Sequence, residues 1–276
     1  MKHSIWITLT LSALFSTQLL AGLVYEIEVT DHEQSPPATS TSEISIEEPR
    51  LKMLAAPNKS NEAGGDMIWR GDLREMVVID HDNKSYMVMD EETIKSMASQ
   101  VGQASAQIAE ALKNVPENQR AMIEKMMKDR MPQQAPNLPV TEIRKTSESA
   151  EKAGYPCVKY SVFVDGREAR RLWVTEWDNL EGGEQVAEVF LEMSGFFSEM
   201  MESVKQAGSL MGGGNAGSSA FEQLSELGGF PVVSEELADD GSLESRSELR
   251  STREQTFDPA AFEPPSGYKR RSMMSP

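Results

Sequence analysis

Apolar and polar positions alternate along Leu23–Thr30, with Leu23, Tyr25, Ile27 and Val29 on one side and Glu26, Glu28 and Thr30 among those opposite. A period of two, built from β-branched and aromatic residues, predicts a half-buried strand. Asp31–Ser42, with Pro36-Pro37, reads as a polar loop. Strand character resumes over Glu43–Ala55 through Ile44, Ile46, Leu51 and Met53, and Pro49 within it predicts a bulge or an edge position. From Gly65 a tight meander follows. Met67 and Trp69 stand on its first strand, Glu75–Asp80 forms the second and Lys84–Met89 the third. Gly71-Asp72 and Asp82-Asn83 suit the two turns, because these residues tolerate positive φ better than most. Met76 and Val78 fall on one face with Val77 and Ile79 on the other, which predicts that both faces are covered.

The period changes to that of a helix at Asp90. Ile94, Met97, Ala98, Val101, Ile108, Leu112 and Val115 share a stripe, and Pro116 restarts a segment carrying Met122, Ile123, Met126 and Met127. Strands are expected again at Pro139–Ser147, around Val158–Val164 and over Arg167–Thr175, with Asp165-Gly166 as the strongest hairpin signal. Gly182-Gly183 precedes a third helix with Val186, Val189, Phe190, Met193, Phe197, Met200 and Val204 at helical spacing. Gly212-Gly213-Gly214 is a flexible break, and Phe221, Leu224 and Leu227 give one face of a short helix. Phe230–Leu237 and Leu243–Thr256 form a last hairpin, whose second strand is polar enough to predict a sheet edge or a solvated face. Asp258 caps a single turn, and residues 269–276 read as a disordered basic tail. Strands joined by tight turns exclude parallel βαβ winding. They predict an α+β fold: one large antiparallel sheet with helices packed on one face.

Residues 1–22 stand apart from this pattern. A short basic start, the apolar run Ile5–Phe15 and small residues at Ala21-Gly22 are the signature of a signal peptide, so export to the periplasm or beyond is expected. That leaves 23–268 as a single domain, large enough to fold without disulfides, as its one cysteine, Cys157, requires. Net charge is −17, which argues against nucleic acid and anionic membrane surfaces as partners. Seventeen methionines are many for this length, and they recur on helical stripes and central strands. An unbranched, polarisable thioether suits either a loosely specified core or an adaptable apolar cavity.

No catalytic apparatus is visible. His81 sits between Asp80 and Asp82 in a turn with no partner at metal-ligand spacing, which reads as a solvated turn residue. The three histidines form no cluster with methionine, so copper capture by thioethers is disfavoured and no cofactor is expected. No Gly-x-Ser-x-Gly elbow occurs, and Gly212–Gly214 lacks the lysine of a phosphate loop. The chain is expected not to be an enzyme.

Several short stretches carry a resemblance. Trp69-Arg70-Gly71-Asp72 leads into Val77-Val78-Ile79-Asp80-His81 and Lys84-Ser85-Tyr86-Met87; Gly154-Tyr155-Pro156-Cys157, Leu172-Trp173-Val174 and Phe262 with Pro264-Pro265-Ser266-Gly267-Tyr268 follow. This order resembles an exported bacterial family known as a domain of unknown function, which is similar in architecture to LolA/LppX-type lipoprotein and lipid carriers. The resemblance implies a curved sheet, a half-barrel, with helices over its concave face and an apolar cavity between. The functional expectation is therefore a soluble exported protein that shelters a lipid or acyl chain. Met67, Trp69, Met76, Met87, Met89, Met97, Ile108, Met122, Met126, Trp173, Phe190, Met193 and Phe197 are expected to line the cavity. The alternative is an interaction module of an envelope assembly, with a protein partner and a core filled by its own side chains.

Overall fold

The computed structural model describes residues 21–54, 65–96, 99–100, 102–103, 140–209 and 227–272. The chain enters the sheet through β1 (Gly22–Asp31), β2 (Ala38–Glu47), β3 (Arg50–Met53), β4 (Met67–Arg70), β5 (Glu75–Asp80) and β6 (Ser85–Met89). A helical segment, α1, follows at 91–96. Then come β7 (Thr141–Lys152), β8 (Tyr155–Val164), β9 (Arg167–Glu176), the long helix α2 (Gly183–Ser209), β10 (Gly229–Leu237), β11 (Leu243–Gln255) and the two-residue β12 (Lys269–Arg270). All twelve strands belong to one sheet in the order β12-β6-β5-β4-β3-β2-β1-β11-β10-β9-β8-β7. Every pairing is antiparallel except that of β12 with β6.

This corrects the expected fold class. The molecule is a large, mostly-sheet structure, and not an α+β domain in which helices roof a concave face. Among the described residues the α-helical ones are α1, residues 99–100 and 102–103, and α2. The sheet is larger than the apolar pattern suggests because serine-, threonine- and glutamate-rich strands join it. Ala38–Ser42, expected in a loop, pairs residue by residue with β1, and β7 extends to Lys152. Such strands are held by pairing with their neighbours more than by an apolar face.

Local corrections have local causes. Pro49 makes neither a bulge nor an edge; it stands in the turn that folds Glu43–Ala55 into β2 and β3. At the β4–β5 turn the positive φ falls on Arg74 and not on Gly71. Gly71 is needed for closeness instead: its N–H donates to the Pro49 carbonyl at 3.1 Å, and a Cβ there would stand 2.6 Å from that oxygen. Lys84 likewise takes the positive φ of the next turn. Asp165 and Gly166 both have positive φ, as that hairpin requires. Strand β11 is not at an edge but between β1 and β10; the solvated-face reading of its polar residues is the one that applies. A row of alternating charges runs across it, from Glu28 to Arg250, Glu248, Arg246 and Glu235. Lys269 and Arg270, expected in a disordered tail, pair with Ser85 and Tyr86.

One face of the sheet carries the main core. Leu23, Tyr25, Ile44, Ile46, Leu51, Trp69 and Met76 form one cluster with Val186, Val189, Met193, Phe196 and Phe197 of α2. The period of two sends the intervening residues to the other side. Ile68, Val77, Ile79 and Val88 are buried there beneath Phe262, and Val162, Leu172 and Val174 pack with Leu227. Both faces are therefore covered, as the meander pattern requires.

Candidate functional site

The helix start at Asp90 and the hairpin tip at Arg74 place the candidate site. The Thr93 N–H donates to Asp90 Oδ1 at 2.7 Å, which caps α1 and turns Ile94 inward. Burial pushes the Asp90 carboxyl up, but the hydrogen bonds from Thr93 outweigh it and hold the group below the ordinary carboxylate range. On α2 the apolar stripe from Val186 through Met193 ends in Phe196 and Met200, one turn apart. The helix start needs Gly183, since a Cβ there would stand 1.9 Å from the Trp177 carbonyl oxygen.

Between α1 and α2 lies a cavity of about 530 Å³, floored by Ile94, Phe196 and Met200. Its rim is charged. Arg74 pairs with Glu199 at 2.8 Å, Lys95 pairs with Glu91, and Glu202 stands nearby. Phe196 is 3% exposed and lies against Trp69, with ring centroids 5.1 Å apart, so the floor is continuous with the core. The Trp69 indole Nε1–H is buried with no hydrogen-bond partner among the described residues. A second cavity, of about 520 Å³, lies at the far end of the sheet under β7, β8 and β9, between Ile143, Tyr160, Val174 and Leu227.

The residues expected to line one cavity are mostly elsewhere. Trp69, Met76, Met193 and Phe197 are buried in the main core, and Met67, Met89, Trp173 and Phe190 pack against it. Met87 is half-buried opposite Val78. None of these borders either cavity. Met97, Ile108, Met122 and Met126 lie outside the described residues. Sequence reasoning missed Phe196, which falls on the α2 stripe next to the named Phe197, and the rim residues Arg74 and Glu199, which no pattern joins.

Other singled-out residues have structural roles. His81 holds Asp66 through Nε2 at 3.0 Å and the Tyr268 hydroxyl through Nδ1 at 2.8 Å. It thus ties the β5–β6 turn to a residue 187 positions away, which a reading as a solvated turn residue does not anticipate. Cys157 is buried, and burial pushes its thiol up, so little thiolate forms. Trp177 joins Phe190 and Phe230 in an aromatic cluster. Among the described residues no group of three or more acidic, histidine or cysteine side chains could hold a metal. No helix among them is long and apolar enough to cross a membrane.

No protein-family model matches the chain, and no curated protein matches it. Among solved structures it is similar to an uncharacterized conserved protein from Thermus thermophilus, at 7% identity over 90% of each chain with a TM-score of 0.40. It is also similar to MucB as seen with MucA, once in the Pseudomonas aeruginosa MucA/MucB complex and once with MucA(peri). Identity is 10% in both, and the TM-scores are 0.33 and 0.32. These matches cover 89% and 90% of this chain but 56% of the other, so the chain spans little more than half the length of the MucB chains. Likenesses this distant carry no argument about family, ligand or partner. The resemblance to LolA/LppX-type carriers rests on the short sequence motifs alone.

Proposed function

We propose that the chain is a non-enzymatic binding protein of the cell envelope, and that an acyl chain enters the cavity between α1 and α2. The observation that carries this reading is the cavity itself: about 530 Å³, with an apolar floor of Ile94, Phe196 and Met200 and a charged rim. Ligand clefts commonly measure about 300–1,000 Å³, with apolar walls and a few polar groups. Burial of methylenes supplies the affinity, at about 0.8 kcal/mol each before ordering costs. The rim would meet a head group. Envelope location follows from the signal-like residues 1–22. Solvent extraction of the natively purified protein followed by lipid mass spectrometry tests the reading. A stoichiometric acyl species supports it; a lipid-free protein that also takes up no added fatty acid sinks it.

A second reading has its own support. Most of the described methionines and aromatics expected to line a cavity are packed in the core, with Met193 fully buried and Phe197 9% exposed. That favours an interaction module with a filled interior. A stable protein partner recovered from envelope extracts together with a lipid-free cavity would favour it.

A further inference from the structure

Among the described residues the sheet ends at β7, and no strand pairs with its outer side. The ladder between β7 and β8 runs in plain register from Thr141 to Lys145, then shifts before Ser149. The Asp165 N–H donates to the Val140 carbonyl at 2.9 Å. That bond sets the phase of the ladder, because hydrogen-bonding direction alternates along an antiparallel strand. Glu142 and Arg144 therefore bond toward β8, and the N–H and C=O of Ile143 point outward. On the side chains' own axis, Ile143 borders the 520 Å³ cavity, while Glu142 and Arg144 share the opposite face. They pair with each other at 2.6 Å, and the Arg144 guanidinium lies 4.2 Å from the centroid of the Phe163 ring.

We propose that this edge pairs with the same edge of a second copy of the chain, antiparallel, with the two-fold axis at Ile143. The charge pattern chooses both the occupant and the register. With Ile143 opposite Ile143 of the second copy, Glu142 of each chain faces Arg144 of the other. Four charges then alternate on one face, and two isoleucines meet on the other. Shifting the axis to Glu142, Arg144 or Lys145 sets like charges directly opposite, which destabilises a strand pair. A two-fold contact needs a self-complementary patch, and only the Ile143 register among these gives one. The outward N–H and C=O of Ile143 have the direction that this register requires. The register shift after Lys145 confines the contact to a short edge, so the association is weak and concentration-dependent.

A charge-swap series read by sedimentation equilibrium on the purified full chain tests this. The unaltered protein is expected to dimerise as concentration rises. Glu142→Arg alone and Arg144→Glu alone should remain monomeric at concentrations where it dimerises, since each sets like charges opposite. The double variant should regain the dimer, and an equimolar mixture of the two single variants should form a heterodimer. Ile143→Pro removes the outward donor and spares the β8 ladder, so it should abolish association with unchanged circular dichroism. A protein that stays monomeric throughout overturns the proposal. So do single variants that dimerise like the parent, or a mixture of them that does not associate.

Discussion

The ring of Phe196 on α2 lies against the indole of Trp69 on β4, 5.1 Å between centroids and tilted by 48°. This contact joins the helix to the sheet, and the same phenyl ring forms part of the cavity floor. Phe196→Ala is expected to cost about 3–5 kcal/mol, as truncation of a buried aromatic usually does. Trp69→Phe should cost much less than truncation to alanine. It keeps most of the ring volume and removes an indole N–H that is buried without a partner among the described residues, itself a penalty of about 1–3 kcal/mol. Urea unfolding of both variants checks the pair. Equal losses would show that the two rings are not coupled in this way.

Phe262 plays a comparable part on the other face. It is fully buried against Ile68, Val77, Ile79 and Val88, with the Arg50 guanidinium 5.0 Å from its ring centroid. Phe262→Ala should cost about 3–5 kcal/mol. Because the segment it anchors carries β12, hydrogen exchange at Lys269–Arg271 should rise in the variant. Protection left intact there would mean that the segment is held by other contacts.

The cap of α1 gives a pH-dependent expectation. The folded Asp90 carboxyl is held below its ordinary value. Its contribution is therefore present above the unfolded value of about 3.9 and is lost as pH falls through the folded one. Asp90→Ala is expected to cost about 0.5–2 kcal/mol near neutral pH, and less in acid. Thermal unfolding at both pH values checks the sign.

Glu48 is expected to behave in the opposite sense. Burial, then the carboxylate of Glu188, which also shares a hydrogen bond with it, and that of Glu192 push the Glu48 carboxyl above its ordinary value. Stability from such a group is full below the unfolded value of about 4.3 and is lost as pH rises through the folded one. Glu48→Gln should thus raise the melting temperature at neutral pH and leave it nearly unchanged in acid. A variant that melts lower at neutral pH would contradict this placing of the carboxylates.

Much of the sheet was legible because local chemistry and tertiary structure agree. The alternation at Leu23–Thr30, the two-sided pattern of Met76–Ile79 and the Asp165-Gly166 turn all appear as expected. What was not legible has two causes. Ser, Thr and Glu at 38–42 and 148–152 give no apolar signal, yet pairing with the adjacent β1 and β8 holds these stretches in the sheet. His81 meets Tyr268, and Arg74 meets Glu199, across separations that no periodicity encodes. The site was half-legible for the same reason. The apolar residues of α2 were legible as a stripe at helical spacing, and several of them pack in the main core, but a stripe cannot say which of its residues border a void. Met193 fills space while Met200 lines it.

Cavity occupation can be read directly by titrating a fluorescent fatty acid into the full chain and into Met200→Trp, whose larger side chain occupies the space beside Phe196. Saturable uptake of one equivalent by the parent, lost in a variant that still folds, is the expected result. No uptake by the parent, or equal uptake by both proteins, would contradict an acyl-binding cavity between α1 and α2.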